Sequence, residues 1–217
     1  MNYKSIPYAT EWIEYPNIKA TFESFGMAPN DESVSLAQYS IPAVRMTDGA
    51  CMMDSRQIAN ALEAAHPEPS LHLDSGHTDR AQAAVLGIWS ALTAIAMPRI
   101  PELLLNPQSA DYFPETREKR FGMPLSDLAK SERAGEHAWK AAGKPMGELK
   151  AILHEYDDGP YVMGKQPSYA DFMIAGMWRC FESVDQRGDL LERAIGFDVA
   201  FSEQYQACRK WLERDDH

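Results

Sequence analysis

Met53-Asp54-Ser55-Arg56-Gln57 closes a short apolar run and opens an amphipathic one, and that junction is where these residue types can do chemistry. The first N–H groups of a helix have no partner inside the helix, and the helix dipole favours negative charge there. A carboxylate is suited to such a spot. Ser55 offers a hydroxyl and a backbone N–H to it, and Asp54 offers a counter-charge for an ammonium group. The same residues also suit a plain cap, with Asp54 or Ser55 at the N-cap and Gln57 completing a box. Ile41-Pro42 lies just upstream. A cis bond there would turn the Ile41 backbone N–H and C=O toward a ligand; an ordinary trans proline at a strand start is the commoner state.

These residues need elements to hold them. Tyr8–Tyr15, rich in aromatic and β-branched residues, reads as a strand, and Pro16 suits the first turn of a short helix ending near Gly26. Residues 30–39 read as a polar loop. Ala43–Met46 and Cys51–Met53 flank Thr47-Asp48-Gly49, a hairpin turn by its Asp-Gly step. A helix follows over Arg56–Ala65, with Ile58, Ala61, Leu62 and Ala65 at helical spacing. Pro67 and Pro69 mark a linker over residues 67–77, separating residues 1–66 from a helical domain over 78–217.

Beyond the linker, Asp79–Met97 reads as one long helix that Pro98 and Pro101 kink or end. Ala81–Met97 carries no charge, yet it is short for a bilayer span and contains Gln82, Ser90 and Thr93, so a buried core helix is expected. Asn106–Asp127 reads as a long polar loop. Ser131–Asp157 reads as a helix that Pro145 bends, burying Trp139, Ala142, Met146, Leu149, Ile152, Leu153 and Tyr156. Ser168-Tyr169-Ala170-Asp171 before the apolar run Phe172–Trp178 is a capping box on a helix apolar all round, hence central and buried. The last helix, Asp198–Leu212, aligns Phe201, Tyr205, Cys208 and Leu212.

Composition narrows the partners. A net charge of −11 over 217 residues argues against nucleic acid or an anionic membrane. The three cysteines, Cys51, Cys180 and Cys208, have no metal spacing and form no even set, so no metal is expected and a reducing, cytoplasmic setting is. No signal peptide opens the chain. His137 and His154 read as surface residues.

The phrase Gly164–Phe172, Asn2–Tyr8 with Trp12–Pro16, Ile41-Pro42, Asp54-Ser55 and Arg117–Leu125 occur in an order that resembles the cytosolic glutathione S-transferase superfamily, in its fungal, etherase-like, natural-product branch. The resemblance implies an α/β plus all-α architecture: a thioredoxin-like domain followed by a helical one, in a homodimer. It implies glutathione as cofactor, held by Ile41, Pro42, Asp54 and Ser55. It also implies an apolar small-molecule electrophile, met by Arg99, Tyr112 and Phe113, with Trp89 and Trp178 as further lining or as core. Arg99 reads equally as a solvated arginine.

In the family the first strand and the start of the first helix carry the group that activates the thiol. The resemblance sets Met1-Asn2-Tyr3 at the end of that helix, so these residues show an N-terminally shortened pattern. Tyr8–Ile13 then lacks its inner neighbour, and no catalytic residue is assigned. Tyr3, Ser5 and Tyr8 bear hydroxyls near this end but suit packing or turn roles, and Cys51 reads as an inert buried thiol. The implied reaction is attack by glutathione thiolate on an electrophilic or conjugated carbon. It ends in a conjugate or, by addition, rotation and elimination, in cis/trans isomerisation, in fungal secondary metabolism. A non-catalytic binding or regulatory protein of the same fold is the alternative.

Overall fold

The computed structural model describes residues 1–31 and 37–213, so the expected loop over 30–39 lies partly outside the described residues. Pro16 sits in a 3-10 turn, Tyr15–Asn17, that leads into α1 (Ile18–Ser24), which buries Ile18 and Phe22. Strands β1 (Ala43–Arg45) and β2 (Cys51–Met53) pair antiparallel, with Ala43 opposite Met53 and Arg45 opposite Cys51. Gly49 takes the positive φ of 88° that the turn requires, and the Asp48 carboxylate accepts from the Ala50 N–H at 2.9 Å. Helix α2 (Ser55–Ala65) packs back on the hairpin.

Tyr8–Tyr15 forms no strand. Among the described residues no strand runs beside it, and an extended segment without a ladder satisfies its polar groups elsewhere. The Tyr15 N–H donates to Ser109 Oγ at 2.9 Å, while the Glu14 carboxylate accepts from Asn106 at 2.6 Å and from the Ser109 hydroxyl. The segment is therefore drawn toward the helical part of the chain instead of into the sheet.

Helix α3 (His77–Ala96) is the central helix; Ala81, Ala84, Ile88 and Leu92 are fully buried against α7 and α8. The run His77–Leu103 is long and apolar enough to cross a bilayer, but these buried positions make it the core helix of the bundle. The helix hands over to a 3-10 turn at Met97–Arg99 and the short α4 (Ile100–Leu103), as the two prolines require.

Asn106–Asp127 is not a loop. It holds α5 (Pro107–Phe121) and α6 (Leu125–Leu128). Pro107 starts α5 and Gly122 ends it in the left-handed conformation, but only Ser109 and Phe113 of its residues are buried, so the polar pattern hides it. Helix α7 (Gly135–Leu153) runs through Pro145. The Pro145 ring lies where Gly87 of α3 presents no side chain; a Cβ there would meet Pro145 Cβ at 2.8 Å. Trp139 is half-buried under the Arg193 guanidinium, 4.6 Å from the ring, and Tyr156 falls outside the helix and is exposed.

Helix α8 (Tyr169–Val184) starts on the expected capping box. The buried Asp171 carboxylate accepts from the Ser168 N–H, the Ser168 hydroxyl and the Val162 N–H, each at 2.8 Å. The Asp171 carbonyl accepts from Gln204 at 2.9 Å. Two further helices, α9 (Leu191–Ile195) and α10 (Val199–Cys208), close the bundle, and α10 is capped by Asp198. Asp198 also accepts from Lys150 Nζ at 2.7 Å and pairs with His154 Nε2 at 2.8 Å.

Two outcomes follow from these caps. Asp171→Ala should lower the unfolding free energy by about 2–4 kcal/mol in urea titration, because three enclosed donors lose their acceptor. Lys150, then His154, holds the Asp198 carboxyl far below its ordinary value. Its contribution is therefore present above the unfolded carboxylate value of about 3.9 and is lost progressively as pH falls from there through the lower folded value. Lys150→Met should flatten the fall in denaturation midpoint between pH 5 and 2.

Candidate functional site

The hairpin register brings the four expected glutathione-site residues together. Ala43 opposite Met53 sets Pro42 beside Asp54, and the Ser40 N–H reaches Met53 Sδ at 3.5 Å. The Ile41–Pro42 bond is cis, and Ile41 is 55% exposed. Asp54 and Ser55 are both exposed.

Asp54 has φ 78° and ψ 115°, a conformation that costs a non-glycine residue energy and is held only by its surroundings. The carboxylate supplies part of that hold: Oδ1 accepts from the Arg56 N–H at 2.8 Å and the Gln57 N–H at 3.1 Å. The capping role read from the sequence is therefore real. It uses two of the first N–H groups of α2 and leaves the Ser55 N–H and hydroxyl at the exposed tip.

A residue from the helical domain completes this corner. Tyr169, the first residue of α8, is half-buried, with its hydroxyl close to that of Ser55. Its N–H donates to the Leu71 carbonyl of the linker at 2.9 Å. Burial pushes the Tyr169 phenol up; Ser55 opposes this, the Asp54 charge adds to it and Arg56 opposes it. Tyr169 thus remains a protonated donor at neutral pH. Arg56 Nη1 bonds Asp79 of α3 at 3.2 Å, a second tie between α2 and the bundle. Tyr169 was legible only as part of a cap. Nothing in its local sequence says that α8 begins against α2.

The three residues expected to meet substrate are not brought together. Arg99 pairs with Asp189 through both Nη groups and also donates to the Val184 carbonyl at 3.3 Å. Its side chain is only 19% exposed, and Asp189, followed by burial in the opposite sense, acts on its pKa, the net shift being upward. It braces the turn after α3 against the end of α8 and is no solvated cation. Phe113 is buried, 5.4 Å from Tyr15 and under the Arg117 guanidinium at 4.0 Å, so it is core, not pocket wall. Tyr112, one residue away, is 42% exposed. Trp178 is core as well, and Trp89 stacks on Phe181 at 5.5 Å.

The hydroxyls near the start of the chain are also placed. Tyr3 packs between Phe172 and Trp211 at 5.1 and 5.2 Å, and burial, then Glu63, pushes its pKa up. Ser5 is exposed in a left-handed turn. Cys51 is half-buried in β2, less enclosed than expected. Among the described residues no cluster of metal-ligating side chains occurs.

Residues 82–193 match the family model described as glutathione S-transferase, C-terminal domain. The chain is 30% identical to the glutathione S-transferase-like protein ustS of Aspergillus flavus, across 98% of this chain and 81% of that protein. Its fold superposes on glutathione transferase GSTFuA3 of Phanerochaete chrysosporium with a TM-score of 0.85, at 24% identity over 99% of this chain and 87% of the other. A second likeness, TM-score 0.80 at 27% identity over 100% and 89%, is to the glutathione S-transferase CsGST63524 of Ceriporiopsis subvermispora, whose crystal structure is a complex with glutathione.

A structural brace and a substrate ligand respond differently to mutation. Arg99→Met and Asp189→Asn should each lower stability by about 1 kcal/mol, and the double variant by no more than either. Denaturant titration of the three variants checks this.

Proposed function

The chain belongs to the glutathione S-transferase family, and on that premise we propose that it is a glutathione-dependent enzyme in which glutathione thiolate attacks an electrophilic or conjugated small molecule. It has the family's fold, a thioredoxin-like N-terminal unit followed by the helical domain. The observation that carries the proposal is the exposed tip of α2, where the Ser55 N–H and hydroxyl stand beside the exposed Ile41–Pro42 turn and the Tyr169 phenol.

In this reading the γ-glutamyl carboxylate of glutathione lies on the Ser55 donors at the positive end of the helix dipole. Tyr169 adds a neutral donor from the other domain. The Ile41 backbone pairs with the cysteinyl part, and Asp54 faces the ammonium group with the carboxylate oxygen that does not cap α2. The enzyme contributes proximity and orientation of the thiol toward the electrophile. Release of the adduct gives conjugation; rotation and loss of the thiol from a conjugated alkene gives cis/trans isomerisation and returns glutathione. The relative of 30% identity is fungal, and we place the reaction in fungal secondary metabolism. We take the working form to be a cytoplasmic homodimer.

One observation favours a second reading, a non-catalytic binding protein of this fold. Of the hydroxyls near the start of the chain, Tyr3 is locked in an aromatic cluster, and Ser5 is exposed in a left-handed turn. Calorimetric titration of glutathione separates the outcomes. The protein should bind glutathione in the millimolar range or tighter, and Ser55→Ala and Tyr169→Phe should each weaken binding about tenfold, the loss expected for a hydrogen bond to a charged group. No binding to the unaltered chain would sink the proposal. With binding established, consumption of glutathione in the presence of conjugated alkenes marks conjugation, and alkene isomerisation at constant glutathione marks the isomerase. Binding without turnover of any alkene or other electrophile marks the second reading.

A further inference from the structure

The arginines in this acidic chain divide by counter-charge and exposure. Arg56, Arg80, Arg99, Arg179, Arg193 and Arg209 each pair with a carboxylate. Of the described arginines outside those pairs, Arg45, Arg120, Arg133 and Arg187 are exposed to water, and only Arg117 is not. A partly enclosed guanidinium without a carboxylate is costly, and the fold retains one on the polar helix α5.

The surroundings of Arg117 supply aromatic faces and hydroxyls but no carboxylate. The guanidinium carbon lies 4.0 Å from the Phe113 ring centroid and 5.5 Å from that of Tyr15, so cation–π attraction holds the flat face. Of its N–H donors, Nη1 bonds the Thr116 hydroxyl at 3.0 Å and the Tyr15 hydroxyl also hydrogen-bonds the group, while Nε is shielded from water with no acceptor. A guanidinium presents its donors in one plane, the geometry that fits a carboxylate. The hydroxyls of Tyr15 and Tyr112 lie in its field, and both tyrosines are partly exposed. The position of Tyr15 is not accidental: the neighbouring Glu14 is fixed to Asn106 and Ser109 of α5, and the Tyr15 N–H to Ser109. Ile13, two residues before it, packs in the cluster that contains Met53, the residue preceding Asp54.

We propose that Arg117, flanked by the Tyr15 and Tyr112 hydroxyls, seats a carboxylate on the electrophile, so that the substrate class is a conjugated carboxylic acid. The aromatic surfaces of Tyr15 and Tyr112 take the apolar part of that acid, and Arg117 fixes its acidic end. This rests on the reading that the chain acts on a small electrophile, but its test does not require turnover. Desolvation is the first influence on the Arg117 guanidinium and lowers its pKa, and an anionic ligand supplies the missing counter-charge.

The test is titration of trans-cinnamate and methyl trans-cinnamate into the full chain without glutathione, followed by tyrosine or tryptophan fluorescence. The acid should bind about tenfold tighter than the ester, the size expected for a charge-assisted pair in a half-buried site. Arg117→Met should abolish that preference while leaving ester binding unchanged, and Arg117→Lys should retain part of it. Arg120→Met, an exposed arginine one turn on, should leave it intact. Tyr112→Phe, which removes only a hydroxyl, should reduce the preference and guards against loss of folding in Arg117→Met. Equal binding of acid and ester, a preference that survives Arg117→Met, or no binding of either would overturn the proposal. A parallel glutathione titration keeps the two readings apart: glutathione binding with no acid preference removes this inference alone, and acid preference without glutathione binding removes the glutathione reading alone.

Discussion

The Asp171 carboxylate is the constraint from which the site is built. It is buried, burial pushes its pKa up, and hydrogen bonds from Val162 and Ser168 oppose that push. Those same bonds fix where α8 begins. The first residue of α8 is Tyr169, so the cap also fixes the phenol that faces Ser55 and the N–H that holds the linker at Leu71. The Asp171 carbonyl, bonded by Gln204, links this point to α10. A buried polar group with all its partners in place specifies geometry more sharply than an apolar contact, because each lost bond is costly. One cap thus positions a side chain that belongs to a different domain's corner.

The other half of the corner is tied down by Lys4. Its ammonium is almost fully enclosed and bonds the His66 carbonyl at 2.5 Å, the Pro69 carbonyl at 2.7 Å and Glu63 at 2.7 Å. Glu63 in turn accepts from Leu71 and Ser70. The linker is therefore bonded at one end to α2 and Lys4, and at Leu71 to α8. The Ser55 corner is held from both sides by polar groups, whereas α1 and the hairpin together contribute only a small apolar cluster of Ile18, Phe22 and Met53.

The sequence made legible what local rules decide. The Asp48-Gly49 turn, the starts of α2 and α8 and the uncharged run of α3 all come from residues within a few positions of one another, whereas only the resemblance favours the cis Ile41–Pro42 bond. What it hid depends on distant partners. Tyr8–Tyr15 has strand composition, but a strand needs a neighbour, and its polar groups went to Asn106 and Ser109 instead. Helix α5 has almost no apolar face to read, because it is held by Phe113 and by the bonds that Glu14 and Tyr15 bring to it. Polar character marks a loop only where no other segment supplies the partners.

The contrast between Arg99 and Arg117 shows why residue type alone does not locate a binding group. Arg99, beside a proline at the end of a long core helix, has the conspicuous sequence position, and Arg117 opens a charged stretch that carries the resemblance but implies no binding role. The structure reverses their standing through counter-charge. Asp189 neutralises Arg99 inside the fold, so a ligand carboxylate there would have to displace an ion pair already made. Arg117 has two aromatic faces and hydroxyl partners but no acid, so a ligand carboxylate would displace no internal ion pair. In a chain of net charge −11, where acids outnumber bases, leaving a half-buried guanidinium unpaired is the less probable arrangement by composition. An acceptor from outside the chain gives it a physical reason.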